Sequence, residues 1–340
     1  MLRSTGVVTV VLLITSTLAR AQSVQELIDR YDRSYASGRY ELALKTAEQI
    51  IELYPDSAWW QFSTGSVLAK LDRVDESLEH LGRAAELGFS GVRSFEQNTD
   101  LDLVRGDPRF DPIMYRVRAN AAERMGAFQE EARKHEPLVF VPEGTGADQQ
   151  RPLIIALHGT GGNGRSMHDV LLETAERLGM ILVSPDALRP SGSGFSWTYR
   201  DESEWFIEHM INWAVEEHHA DRSRVYLVGF SQGANIALIM GQTHPGLFRG
   251  VIPYCGHYEA QAVEAENVPA PFYLMTGARD DWRQTYAQAK RDFMDAGGQA
   301  EIRVLPGLGH ELPRGSTALR EFKKAFLWFD RMSEMEENAP

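Results

Sequence analysis

The sequence predicts an α/β domain with a mostly parallel central sheet, preceded by an all-α helical-repeat module. Three observations carry this. From about residue 153 to 332, short apolar runs alternate with longer helical patterns, which implies parallel strands covered by helices on both faces. Before residue 90 the pattern is helical and similar to itself at an offset of 34 residues, a period of helix–turn–helix repeats. Between an apolar run, Val225–Phe230, and a helical run, Ala234–Met240, stands Gly229-Phe-Ser231-Gln-Gly233, a G-x-S-x-G on a strand-to-helix turn.

In chain order, residues 1–21 read as a secretory signal peptide. Arg3 gives a positive start, Val7–Ile14 an apolar stretch, and Ala19-Arg-Ala21 a small-residue cleavage site. The apolar stretch is too short to span a bilayer comfortably, so the expected product starts near Gln22, is exported to a periplasm or secreted, and keeps no stable membrane span. The net charge of −13 falls to about −15 once the two leader arginines are removed. That charge argues against nucleic acid and anionic membrane surfaces as partners. Cys255 is the only cysteine, so no internal disulfide and no Cys-based metal site is expected. His218-His219 are neighbours, about 100° apart on a helix, and make a poor chelate.

Residues 22–134 are assigned to the helical module. Gly38-Arg-Tyr-Glu-Leu-Ala-Leu44 aligns with Asp72-Arg-Val-Asp-Glu-Ser-Leu78, and Pro55 closes the first unit. The pattern resembles tetratricopeptide repeats, though the second unit lacks the turn glycine. Two repeats seldom bury a core alone, so the module is expected to pack on the α/β domain. From Asn98 to Ala132 a turn leads into a helix from Pro112. This region reads as a supporting cap for the next domain, with a groove for a protein partner as the alternative.

Residues 135–340 form the α/β domain. The expected order is a β-rich stretch Pro137–Pro142, a polar turn Gly144–Arg151, strand Leu153–Leu157, helix Val170–Gly179 and strand Met180–Ser184. An irregular loop Pro185–Tyr199 and helix Ser203–Glu217 lead to the elbow. Strands Gly250–Cys255 and Pro271–Thr276, helix Trp282–Ala296, strand Ala300–Leu305 and helix Ser316–Met332 complete it. In such sheets ligands bind at the carboxyl ends of the strands.

The chemistry is set by the residues at those ends. A serine hydroxyl needs a base to take its proton, and a histidine base needs a carboxylate to orient it. On this kind of sheet the partners come in the order Ser, Asp or Glu, His. After Ser231, Asp280 and Asp281 come just beyond an apolar strand, and His310 comes after the next strand and its turn. Asp280 is favoured over Asp281, which is expected to face away or to cap the helix near Trp282. His310 is favoured over His257, which lies on the same face and is expected to contact substrate, and over His244. A tetrahedral intermediate needs two N–H donors. Gln232 supplies one. The loop His158-Gly159-Thr160-Gly161-Gly162 supplies the other, from Thr160 first and Gly161 next. His158, Gly159 and Gly161 are expected to border the substrate. The loop lacks the lysine of a phosphate-binding loop.

Four motifs in this order, H-G-T-G-G-N at 158–163, G-F-S-Q-G at 229–233, G-A-R-D-D at 277–281 and G-L-G-H-E at 307–311, carry a resemblance. Residues 137–332 resemble α/β-hydrolases of the phospholipase/carboxylesterase group, and also feruloyl-esterase-like and polyhydroxybutyrate-depolymerase-like secreted esterases. The resemblance implies Ser231 as nucleophile, Asp280 as acid and His310 as base. It implies a serine carboxylic-ester hydrolase that works through an acyl-enzyme, with no metal and no organic cofactor. It makes a peptidase or thioesterase the alternative enzymes. Ser196-Trp197-Thr-Tyr199 resembles the aromatic segment that such proteins carry before the elbow, so Trp197 is expected to line the pocket. The polar Pro185–Tyr199 stretch points to small or soluble esters rather than long-chain lipids. The rival from another class is a silent hydrolase scaffold that binds protein partners through its helices. A complete Ser, Asp and His set argues against it.

Overall fold

A computed structural model describes residues 24–143, 150–244, 246–261 and 268–337, with side chains described as far as residue 332. The expected signal peptide and most of the polar turn 144–151 lie outside the described residues. The chain divides into two compact units between Ala127 and Phe128.

The first unit is helical. Helices α1 (24–36), α2 (Tyr40–Leu53), α3 (Ala58–Lys70) and α4 (Val74–Glu86) succeed one another. The starts of α1 and α3, and of α2 and α4, are 34 residues apart. Each pair turns through a left-handed residue. Gly38 has φ 71° in the first turn, and Asp72 has φ 58° at the matching place in the second. Aspartate tolerates this region better than most side chains, so the missing glycine does not prevent the turn. Ser57 caps α3 by accepting the Trp60 N–H at 3.4 Å. Leu78 and Leu81 of α4 join a core with Phe62, Phe89, Phe95 and Val104. After the short α5 (Val92–Glu96), helix α6 (Phe110–Ala132) begins two residues before Pro112 rather than at it. A proline in the first turn removes only an N–H that has no intrahelical partner.

The second unit is built on a seven-stranded sheet. Its strands are β1 (Leu138–Phe140), β2 (Arg151–Leu157), β3 (Ile181–Ser184), β6 (Ala220–Phe230), β7 (Gly250–Tyr254), β8 (Phe272–Gly277) and β9 (Ala300–Leu305), and the intervening β4 and β5 form a separate ribbon. The order across the sheet is β1-β3-β2-β6-β7-β8-β9. β1 pairs antiparallel with β3, and the other neighbours are parallel. Central strands of such sheets are apolar throughout because both faces are covered, and residues 153–157 of β2 are all buried. Ile154 and Ala156 face a core that includes Met167 and Leu171 of α7 (Gly164–Leu178) and Phe322 and Phe329 of α11 (Gly315–Glu337). Leu153, Ile155 and Leu157 alternate to the opposite face. The remaining helices are α8 (Arg200–His218), α9 (Gln232–Thr243) and α10 (Thr285–Asp295). Phe272 of β8 stacks on Phe293 of α10, with ring centroids 4.1 Å apart.

Three expectations in this second unit are corrected. Helix α7 starts at Gly164, not Val170, because Asn163 accepts the Ser166 N–H at 3.2 Å and caps it there. The expected irregular loop 185–199 contains the two-stranded ribbon β4 (Arg189–Ser191) and β5 (Gly194–Ser196). A short 3-10 turn, Asp281–Gln284, precedes α10.

Candidate active site

The end of β6 and the start of α9 set the first part of the site. Gly229 and Gly233 let strand and helix meet. A Cβ on Gly229 would lie 2.2 Å from the Gly233 carbonyl oxygen, and one on Gly233 would lie 2.5 Å from the Leu157 carbonyl oxygen at the end of β2. Ser231 sits between them at φ 53° and ψ −117°. A non-glycine residue there costs about 1–3 kcal/mol and persists because its surroundings hold it. Here the Ser231 N–H donates to the Tyr254 carbonyl at 3.0 Å. The strained turn leaves the Ser231 side chain at the N-cap of α9, where the helix favours negative charge.

The loops after β8 and β9 bring the partners. Ala278 N–H donates to Leu305 O at 3.0 Å, and Arg279 N–H to Leu308 O at 2.9 Å. These bonds tie the two loops side by side. His310 Nδ1 then lies 2.5 Å from Asp280 Oδ2, and His310 Nε2 lies 2.8 Å from Ser231 Oγ. The Asp280 side chain is only 1% exposed, whereas that of His310 is 42% exposed. Asp280 Oδ1 also accepts the Trp282 N–H at 2.9 Å. The expected helix cap is therefore Asp280 itself, and Asp281 is exposed. One carboxylate spends one oxygen on the cap and the other on the histidine, which fixes its plane.

Cys255 lies beneath this pair, buried at φ 55°. Its Sγ is 3.7 Å from the Gly309 carbonyl, and burial pushes the thiol up to about 12. Donor atoms of Cys255, Asp280 and His310 fall within 4.8 Å of one another. At neutral pH the thiol keeps its proton, and the other two groups bond each other.

The glycine-rich loop is less open than expected. Gly161 N–H already donates to Phe195 O at 2.8 Å, and Phe195 N–H donates back to Gly162 O at 2.9 Å. Gly161 is thus corrected as a candidate donor, because the ribbon β4–β5 occupies its N–H. Thr160 is exposed, and among the described residues its N–H has no backbone acceptor. Gly159 abuts the serine, since a Cβ there would be 3.0 Å from Ser231 Cβ. Gln232 is the first residue of α9, so its N–H has no carbonyl one turn earlier to bond within the helix.

His158 is corrected as a substrate contact. Its ring is fully buried. Ala187 N–H donates to Nε2 at 3.0 Å, which leaves the hydrogen on Nδ1 to donate to Gly159 O at 2.7 Å. Burial lowers its pKa, in keeping with this neutral form. Trp197 is likewise 4% exposed. Its indole N–H donates to His158 O at 2.9 Å, so it supports the loop rather than lining a pocket. His257 is half-buried on the active face, with its ring 5.8 Å from that of Trp282.

Two side-chain roles escaped the sequence reading. The side chain of Gln232 accepts the Trp197 N–H at 3.0 Å and donates to Ser196 Oγ at 3.1 Å, pinning the ribbon to the elbow. Trp282 sets its indole edge-on to the His310 ring at 5.2 Å. Its place two residues after a candidate acid was the available signal.

A parallel sheet with a strained serine elbow and carboxylate and histidine loops at its strand ends defines a hydrolase-fold protein. Residues 152–335 match the alpha/beta hydrolase fold family, and the chain belongs to it. Among curated proteins it is similar to acetylxylan esterase A of Emericella nidulans, 28% identical over 164 residues, 45% of this chain and 49% of that protein. It is also similar to feruloyl esterase B of Neurospora crassa, 30% identical over 115 residues, 31% of this chain and 38% of that protein. The chain thus spans about half or less of the length of these relatives. Among solved structures, esterase PE8 aligns at 20% identity and a TM-score of 0.49, over 57% of this chain and 98% of that one.

Proposed function

We propose that the protein is a serine hydrolase of carboxylic esters. The single observation that carries this is the unbroken chain Ser231 Oγ, His310 Nε2, His310 Nδ1, Asp280 Oδ2, at 2.8 Å and 2.5 Å. Neutral His310 takes the Ser231 proton as Oγ attacks the ester carbonyl. The carbonyl π electrons move to oxygen, and the N–H groups of Thr160 and Gln232 receive the oxyanion. The intermediate collapses, the carbon–oxygen bond to the alcohol breaks, and His310 gives its proton to the departing alcohol oxygen. Water repeats the sequence on the acyl-enzyme and releases the acid. Asp280 keeps the proton-bearing Nδ1 edge in place and stabilises the imidazolium. An oxyanion donor of this kind contributes about 3–4 kcal/mol to the transition state.

The test is p-nitrophenyl acetate-to-octanoate turnover by the wild type and by Ser231→Ala, with fluorophosphonate labelling alongside. Turnover and labelling that both disappear in Ser231→Ala are expected. Equal turnover in the variant would overturn the reading. The names of the curated relatives make acetylated xylan and feruloyl esters the first natural candidates.

The helical residues 22–134 are proposed as a tetratricopeptide-like pair that precedes a hydrolase domain at 135–340 in the chain, with a protein partner as its alternative role. The 34-residue offset of the helices and the matched left-handed turns at Gly38 and Asp72 support it. Residues 1–21 are proposed as a cleaved leader, on their charge, apolar run and small-residue end. The N-terminal sequence of the exported product, expected to begin near Gln22, tests this.

A further inference from the structure

The ester-hydrolase reading constrains where the alcohol half of the substrate lies, and this inference rests on that reading. His310 must hand its proton to the leaving oxygen, so that oxygen comes within about 3 Å of Nε2. The rest of the alcohol then spreads over the surface beside the His310 ring.

That surface is built by Trp282 and His257. The indole meets His310 edge-on, at 83° and 5.2 Å, and is 37% exposed. The His257 ring lies 5.8 Å beyond the indole, with its side chain 41% exposed. Both are anchored to the parts that hold the relay. Trp282 N–H is bonded to Asp280 Oδ1, and His257 N–H to Asn235 Oδ1 of α9 at 2.7 Å. The imidazole of His257 is unsatisfied among the described residues. Its Nδ1 is buried without a partner, and its Nε2 stands 3.7 Å from the Glu259 carboxylate, beyond hydrogen-bond range.

A flat indole beside an imidazole and an exposed carboxylate suits one kind of alcohol. A ring with C–H groups on its face and hydroxyls on its rim can stack on the indole while its hydroxyls meet His257 and Glu259. An aliphatic alcohol would leave those polar groups unmatched. An anionic alcohol would face Glu259 beside His257, a like-charge arrangement. We infer that Trp282 and His257 form the leaving-group subsite, and that it takes the sugar-ring alcohol of a carbohydrate ester.

The test uses the full chain with two acetates that give the same acyl-enzyme, a mono-acetylated methyl glucopyranoside and ethyl acetate. The wild type should prefer the sugar ester in kcat/KM. In Trp282→Ala that preference should fall about tenfold, the scale of one aromatic contact, with Trp282→Phe between them. His257→Asn should lower the preference as well, guarding against a folding defect peculiar to the tryptophan variants. Breakdown of the acetyl-enzyme, monitored after a burst, occurs after the alcohol has left. If Trp282→Ala slows that step as much as acylation, Trp282 merely positions His310 and the subsite is overturned. A wild type that labels with fluorophosphonate but shows no sugar preference also overturns the subsite, and leaves the ester-hydrolase reading standing. No labelling and no turnover of either acetate overturns both.

Discussion

Gly277 and Gly309 meet backbone to backbone: a Cβ on Gly277 would lie 2.2 Å from the Gly309 carbonyl oxygen. This approach lets the turn after β8 lie against the turn after β9, and so lets Asp280 reach His310. Gly277→Ala forces the two turns apart. Displacement of catalytic groups by even an ångström costs about 100-fold, and overpacking costs about 1–3 kcal/mol of stability. The expected result is a fall of about that size in kcat, with a lowered urea midpoint. Wild-type kinetics in this variant would show that the close approach is dispensable.

The two adjacent carboxylates should separate cleanly. Asp280 is buried on the histidine, and Asp281 is exposed. Asp280→Asn presents the wrong hydrogen-bonding partner to Nδ1, and on the proposed mechanism kcat should drop about 10⁴-fold, as it does in known Ser-His-Asp triads. Asp281→Asn should change kcat by no more than about twofold, as surface substitutions do little. Steady-state kinetics on one ester decides between them, and a reversed order would reassign the acid.

Gln232 separates main-chain from side-chain roles. Gln232→Ala keeps the N–H at the start of α9 but removes the groups bonded to Ser196 and Trp197. The buried Trp197 N–H then loses its acceptor, at about 1–3 kcal/mol. A raised KM and lower stability are expected, with fluorophosphonate labelling of Ser231 preserved. Loss of labelling would mean that the ribbon also shapes the elbow.

A pH effect on stability should come from Glu321. Burial works against its charge, but Arg303 at 2.6 Å and Arg320 at 2.7 Å outweigh it and hold the carboxyl at about 2. An unfolded glutamate titrates near about 4.3. The folded value is the lower one, so the stabilisation is fully present above the unfolded value and is lost as pH falls from there toward about 2. Urea unfolding of the wild type should lose stability across that window more steeply than Glu321→Gln. Equal slopes would remove Glu321 as a cause.

Much of the fold was legible because apolar continuity and period survive in one dimension. Strand Ala300–Leu305 lies where the pattern put it, and the strand-to-helix turn at Ser231 is set by two glycines whose need is steric and local. The ribbon within 185–199 was not legible. Its strands are three residues each, and it is held by Gly161, Gly162 and the Gln232 side chain, none of them near it in sequence. For the same reason His158 and Trp197 read as pocket residues. Polar and aromatic types beside a serine motif look like binding groups until their ring atoms are found bonded to the main chain.

The sequence by itself determined the alternation of strands and helices, the 34-residue helical period and the order of Ser231, Asp280 and His310. These depend on neighbours along the chain, through steric allowance at turns and the burial of one face or two. Only the tertiary structure decided which of two aspartates meets the histidine, which loop N–H groups stay unpaired, and that Trp282 borders His310 with His257 next to the indole. Those outcomes are set by hydrogen bonds of about 3 Å between segments dozens of residues apart, and a linear pattern carries no distance across the fold.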